Sequence, residues 1–269
     1  MLTRSPSFSS FETQQIVFSP TLLLEIMPIH VRSEKVAPIV LLPGDPNRAK
    51  WIAEHFFDDA VCTTNYRQML GYNGSWKGHA VTVQTTGMGG PSATIVCEEL
   101  KMLGAKVLIR VGTCGAMNND MEPGDLMLVT AACMTDSTSR EIFAAHMSGC
   151  DQQLKAGYAA TSDFNFLMRA YAIARALNYR VHAGKVASLD RFYGHSDETY
   201  KKLAQTGIFA VEMEAASVLT FAATHDMKAA CMMTVSDQIY GAKRASEEVI
   251  EQGVERMVRV ALDAVTETF

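Results

Sequence analysis

The sequence predicts a single α/β domain in which a central sheet is flanked by helices. Three observations carry that expectation. From about Ala37 onward, short β-branched runs alternate with helical patterns. The segment Leu41-Leu-Pro-Gly-Asp-Pro-Asn-Arg48 joins a strand to a helix through a glycine turn, with Asp45 placed as N-cap and Pro46 at the first helical position. The chain has 269 residues, 48% of them hydrophobic and 20% charged, with a mean hydropathy of +0.04, which suits one large buried core.

The pattern places strands at Ile39–Leu42, Ala80–Thr86, Val107–Val111, Asp125–Thr130, Val181–Ser188, Phe209–Val211 and Ala229–Ser236. Helices are expected to start near Pro46, Ser92, Phe164, Ser196, Met213 and Ser246. The last of these runs to the C-terminus, with Val249, Val254, Met257, Val260, Ala261 and Val265 as its apolar stripe. The stretch Asp136–Thr161 reads as an irregular surface excursion, and neither an internal repeat nor a low-complexity tract occurs. Residues 1–26 differ from the rest. They are rich in Ser and Thr, carry Arg4 as their only basic residue, and have their best apolar run interrupted by Pro20. They read as a disordered N-terminal extension rather than a signal or transit peptide, with residues 27–269 as the catalytic domain and Met27-Pro-Ile-His30 as an alternative start.

Composition narrows the function classes. A net charge of −5 supplies no basic field for a nucleic acid, so small anions suit the chain better than polyanions. No run of about 18 apolar residues exists, which excludes a transmembrane helix from the reading. Six cysteines without a CxxC or Cys/His ligand spacing argue against structural zinc and for reduced thiols in a cytosol, most of them small core residues.

Chemistry-bearing residues gather where strands end, the place where open α/β sheets hold ligands. Lys106-Val-Leu-Ile-Arg-Val-Gly-Thr-Cys-Gly-Ala116 is an apolar strand that carries Arg110 and runs into an expected glycine-rich turn. Such a turn points backbone N–H groups and the Thr113 hydroxyl at one spot beside a guanidinium, an oxyanion site. The alternative is a buried strand whose Arg110 pairs with a carboxylate. Gly44 permits close backbone approach, and Arg48 in a first helical turn opposes the helix dipole unless an anion is bound there. Thr85-Thr-Gly-Met-Gly-Gly-Pro-Ser92 is another glycine-lined strand end, where Met88 is the one side chain large enough to cover a flat apolar ligand. Glu212 and Glu214 open a helix, where acids are favoured, yet their spacing points them in different directions. Asp237 closes a buried strand, as either a turn residue or a catalytic carboxyl.

Together these pieces resemble a family. Pro43-Gly-Asp-Pro46 with Arg48, Gly87-Met-Gly89 followed by Pro91-Ser92, Arg110-Val-Gly-Thr-Cys-Gly115, Phe192-Tyr193, Val211-Glu-Met-Glu-Ala215 and Ser236-Asp237 are similar, in order and over about residues 28–266, to the purine nucleoside phosphorylases of bacterial hexameric type in the nucleoside phosphorylase-I superfamily. The resemblance implies one α/β domain with a mixed, barrel-like central sheet, a hexamer built as a trimer of dimers with sites shared between subunits, and a cytoplasmic enzyme of purine salvage. It implies that Gly44, Arg48, Arg110 and Thr113 bind phosphate, with Arg67 reaching in from the neighbouring subunit. Met88, Met213 and Glu214 take the ribose, joined by His30 of that neighbour at the 5′-hydroxyl. Phe192, Val211 and Glu212 line the base, and Asp237 is the general acid. No metal or organic cofactor is implied, phosphate being the co-substrate.

The reaction needs such groups. Cleaving an N-glycosidic bond with phosphate builds positive charge on the sugar and negative charge on the departing purine, so an anion under the ribose and a proton donor at N7 both stabilise the transition state. One departure stands out. Where the family's best-known members carry an arginine thirteen positions after the acid, this chain has Ile250, leaving Lys243 or Arg244 as substitutes or Asp237 to act alone. A uridine phosphorylase is disfavoured because Gly-His-Ser-Asp-Glu-Thr follows Phe192-Tyr193 in place of a Gln-x-Arg pair. A nucleosidase would have little use for two arginines, and a non-catalytic nucleoside-binding protein would have none for Asp237.

Overall fold

The computed structural model describes residues 27–152, 157–240 and 243–269. The expectation for residues 1–26 lies outside the described residues. Among the described residues, eleven strands and seven α-helices follow one another as β1 (Ile39–Leu42), α1 (Pro46–Phe56), β2 (Asp58–Thr64), β3 (Gly71–Trp76), β4 (His79–Gln84), α2 (Gly90–Met102), β5 (Val107–Ala116), β6 (Leu126–Cys133), α3 (Ser137–His146), β7 (Ala160–Thr161), α4 (Phe164–Ala176), β8 (Val181–Ser188), α5 (Asp197–Gln205), β9 (Ile208–Glu212), α6 (Ala215–Thr224), β10 (Lys228–Gln238), β11 (Lys243–Arg244) and α7 (Glu247–Thr268).

The strands form one mixed sheet, and β5 pairs with β10 as well as with β1 and β9. That extra pairing closes β5, β10, β6, β8 and β9 into a barrel, while β1, β4, β3 and β2 extend from β5 as an open wing. β1, β4, β5 and β10 are mutually parallel, so their C-terminal ends share one edge. The short antiparallel pairing of β9 with β5, Gly115 with Val211 and Ala116 with Ala210, brings the C-terminal tip of β9 to that same edge.

The buried strands are apolar without alternation because both faces are covered. On β5, Val107, Ile109 and Val111 pack with α1, α4 and α7, whereas Leu108 faces the opposite core with α2 and α6. On β10, Ala230 and Met232 take the first side, and Cys231, Met233 and Val235 the second. Helix starts follow the expected chemistry: Asp45 accepts from the Asn47 N–H at 2.8 Å with Pro46 in the first turn, and Asp163, Ser196 and Ser246 cap α4, α5 and α7.

Several expectations change. Strands β2 and β3 were not predicted, nor were the two-residue β7 and β11. β2 is largely solvent-exposed and so lacks an apolar alternation to read. The stretch expected to be irregular contains α3, a helix with Ser139 as its only buried residue. It is tied down from afar, since its cap Asp136 is fully buried and also accepts from the Ser217 hydroxyl of α6 at 2.8 Å. Cys97, Cys114 and Cys231 are core residues, but Cys62, Cys133 and Cys150 are exposed. Among the described residues no helix is long and apolar enough to cross a membrane, and no group of His, Cys, Asp and Glu could hold a metal ion.

Candidate active site

A cavity of about 660 Å³ opens on the shared edge of strand ends. Its wall includes Gly44 and Arg48 after β1, Gly87 and Met88 after β4, Arg110 and Gly112 to Gly115 on β5, Phe192 after β8, Val211 and Glu212 at the end of β9, Met213 and Glu214 just beyond it, and Ser236 and Asp237 on β10. The structure therefore brings together eleven of the expected residues: Gly44, Arg48, Met88, Arg110, Thr113, Phe192, Val211, Glu212, Met213, Glu214 and Asp237. His30 and Arg67 lie outside it.

The glycine-rich segment is where the sequence reading fails most usefully. Gly112-Thr-Cys-Gly115 is not a turn with free N–H groups but the continuation of β5, paired with β10 from Gly112 opposite Met233 to Gly115 opposite Asp237. Its glycines serve side chains instead. A Cβ on Gly112 would lie 2.8 Å from Arg110 Nη2 and 2.9 Å from Cζ, so the missing side chain is the space in which the guanidinium folds back along its own strand. A Cβ on Gly115 would meet Ile239 at 2.7 Å and Asp237 Oδ2 at 3.1 Å. Gly44 and Gly87 abut, with 3.2 Å between a Gly44 Cβ and the Gly87 carbonyl oxygen.

Arg110 is buried between two carboxylates, as the second reading of it expects. Its Nε donates to Glu212 Oε2 at 3.1 Å, and Nη2 pairs with Glu214 Oε2. Glu212 ends β9 and accepts the N–H groups of Glu214, the cap residue of α6, at 2.7 Å and of Ala215 at 2.8 Å, while its other oxygen accepts from the Ser188 hydroxyl. Glu214 accepts from the Gly89 N–H at 2.5 Å, which ties β9 to the glycine turn after β4. Burial pushes the Glu212 carboxyl up from its ordinary range; Arg110 opposes this and Glu214 adds to it. Burial works against charge on Arg110 too, but Glu214 and then Glu212 outweigh it and raise its pKa. Arg48 has no such pair among the described residues: burial lowers its pKa, Asp45 opposes, and the neighbouring Arg110 charge adds to the fall. A half-buried guanidinium beside another cation is a place for an anion.

Asp237 stands where β10 is irregular. The β5–β10 register shifts between Val235 and Asp237, and this bulge at Ser236 re-aims the following side chain at the cavity. The Ser236 hydroxyl donates to Asp237 Oδ1 at 2.6 Å. Arg244 lies directly opposite Asp237 in the β10–β11 ladder, with Nη1 at 3.9 Å from Oδ1, and both it and Ile250 belong to the wall. The Lys243 side chain lies outside the described part. Phe192 is 63% exposed and Met88 84%, so the two apolar covers stand open at the mouth. Burial pushes the Cys114 thiol up, which keeps that part of the wall neutral.

His30 and Arg67 gather on another face. His30 Nδ1 lies 2.8 Å from Glu99 Oε1, and the N–H groups of His30 and Val31 each donate to Glu99 Oε2 at 2.7 Å. Arg67 adopts φ 55°, in the left-handed region, and the Arg32 guanidinium sits 3.8 Å over the neighbouring Tyr66 ring. Sequence reasoning missed Ser188, Arg191 and Tyr200, the latter two being in the wall. Arg191 precedes Phe192 and was visible as a cation beside a candidate cover, whereas Ser188 and Tyr200 carry no sequence signal.

A partly closed mixed sheet with paired arginines, two buried glutamates and an acid at one strand edge is an α/β site suited to a small anion. The chain belongs to the phosphorylase superfamily, whose family model matches residues 38–267. It is 39% identical over 241 residues to the DeoD-type purine nucleoside phosphorylase of Bacillus cereus (strain B4264), covering 88% of this chain and 98% of that one. The same coverage holds at 40% identity with the DeoD-type purine nucleoside phosphorylase of Brevibacillus brevis and at 39% with that of Bacillus mycoides.

Proposed function

We propose that the protein catalyses the reversible phosphorolysis of purine (2′-deoxy)ribonucleosides to free purine and (2-deoxy)ribose 1-phosphate, with residues 27–269 as the catalytic domain of a cytoplasmic pentosyltransferase. The observation that carries this reading is the convergence of Arg48, Arg110, Glu214 and Asp237 on one cavity. Phosphate lies against Arg48, Arg110, Thr113 and the Gly44 backbone, where it is nucleophile and counter-ion together. Glu214 accepts hydrogen bonds from the vicinal hydroxyls of the ribose, and Met88 and Met213 pack on the sugar, which holds the anomeric carbon over the phosphate. Phe192 and Val211 supply the apolar walls for the purine. Asp237 gives its proton to N7 as the glycosidic bond breaks, with Arg244 as the adjacent cation in place of the missing arginine at Ile250. No organic cofactor or metal enters this scheme.

The deciding experiment incubates a panel of nucleosides with and without phosphate and follows free base and ribose 1-phosphate. Inosine or adenosine turns over only with phosphate and yields the sugar phosphate. Equal base release in phosphate-free buffer would identify a nucleosidase instead, and turnover confined to uridine a uridine phosphorylase.

We further propose a hexamer of three dimers, in which His30 and Arg67 complete the neighbour's site at the 5′-hydroxyl and at phosphate. Their absence from the wall of their own cavity and their clustering with Arg32 and Tyr66 support this reading. After subunit exchange, a mixture of inactive Arg67→Ala and Asp237→Ala proteins regains activity, because each mixed dimer holds one intact site. A fully active isolated monomer would exclude the arrangement.

A further inference from the structure

We propose that Glu212 is not a reader of the base but the positioning residue that sets Arg110 for phosphate, and that Ser188 fixes Glu212 in turn. The inference rests on the reading above that Arg110 receives phosphate. The Glu212 side chain is only 1% exposed, and its carboxylate already meets four donors: Arg110 Nε, the N–H groups of Glu214 and Ala215, and the Ser188 hydroxyl. Three of these donors crowd Oε2 and Ser188 takes one of the two lone-pair sites of Oε1, so all that is left for a purine N–H is the one site beside Ser188 on a side chain closed off by burial. Ser188 is itself fully buried and held in place, since its oxygen accepts from the Ala216 N–H at 2.8 Å.

The same bonds divide the guanidinium. Nε goes to Glu212 and Nη2 to Glu214, whereas Nη1 has no protein partner among the described residues, and Gly112 leaves room for the group to lie against its own strand. A planar fork held at two corners presents the third in one orientation. Freed of Glu212, the side chain would sample several rotamers, and phosphate would have to select one on binding. Glu212 thus acts on the anion through Arg110, without touching it.

The test is steady-state kinetics with inosine and phosphate varied independently. Glu212→Ala raises KM for phosphate about tenfold or more and changes KM for inosine by less than about twofold, on the scale of one lost charge-assisted bond. Glu212→Gln keeps an oxygen for Arg110 Nε and the two N–H groups and offers its amide to Ser188, so it returns KM for phosphate to within about twofold of wild type. Ser188→Ala shifts KM for phosphate in the same direction by about threefold, and with the Gln variant it carries the test if Glu212→Ala does not fold. An altered inosine-to-adenosine ratio or inosine KM at unchanged phosphate KM would overturn the proposal and return Glu212 to the base. Equal increases in both KM values, or a fall in kcat alone, would overturn it in favour of a merely structural cap. A wild-type enzyme that ignores phosphate would instead defeat the parent reading before any variant is made.

Discussion

Arg110→Ala is expected to lower kcat/KM for phosphate by about 10²–10³-fold, the scale on which an oriented donor to a transition-state oxyanion acts. It is also expected to be the most destabilising single change in the cavity wall. Removing the guanidinium leaves Glu212 and Glu214 buried beside each other without their shared cation, and breaking a buried pair this way costs about 3–5 kcal/mol. For a domain of this size that corresponds to a thermal midpoint lower by roughly 10 °C. The deficit should depend on pH with a definite sign. Burial already raises the Glu212 carboxyl in the folded state, and losing Arg110 raises it further. The folded variant then holds a proton that the unfolded chain releases, so its deficit shrinks as pH falls from about 8 toward 5. Thermal melts of wild type and variant across that range, with phosphate titrations at each pH, check both parts. A variant with native phosphate use would make Arg110 a scaffold residue only.

Asp237→Asn should reduce adenosine phosphorolysis by about 10²-fold or more and inosine phosphorolysis by less. The asparagine keeps the acceptor for the Ser236 hydroxyl and can donate a hydrogen bond, but it has no proton to transfer. The adenine anion is the poorer leaving group and depends on that transfer, whereas a 6-oxo purine disperses charge onto its carbonyl oxygen. The side chain is 27% exposed at a strand end, so circular dichroism and phosphate binding should stay native and separate lost chemistry from lost fold. Unchanged rates on both nucleosides would remove Asp237 from the mechanism and make Arg244, its neighbour at 3.9 Å, the next residue to replace.

Much of this architecture was legible without coordinates. Continuous apolar runs announced β1, β5 and β10 because both faces of those strands are buried, and Asp45-Pro46 announced α1 because capping is a local interaction. Arg110 and Asp237 stood out as polar groups in apolar runs, and Glu214 as an acid opening a helix. The local pattern was silent on β2, whose exposed face has no alternation, and on α3, whose start is anchored to Ser217 of α6, 81 residues away. Gly112 to Gly115 could be either turn or strand, because glycine permits both backbones; only the β10 partner and the folded-back Arg110 side chain choose the strand. Likewise nothing near Glu212 in sequence reveals that its carboxylate joins Arg110 and Ser188, because those partners lie 102 and 24 residues away. Local chemistry sets which residues are apolar, capped or chargeable; which charges meet follows only from barrel closure, which brings the ends of β5, β9 and β10 to one edge, since pairing across a buried site depends on distances that no local propensity encodes.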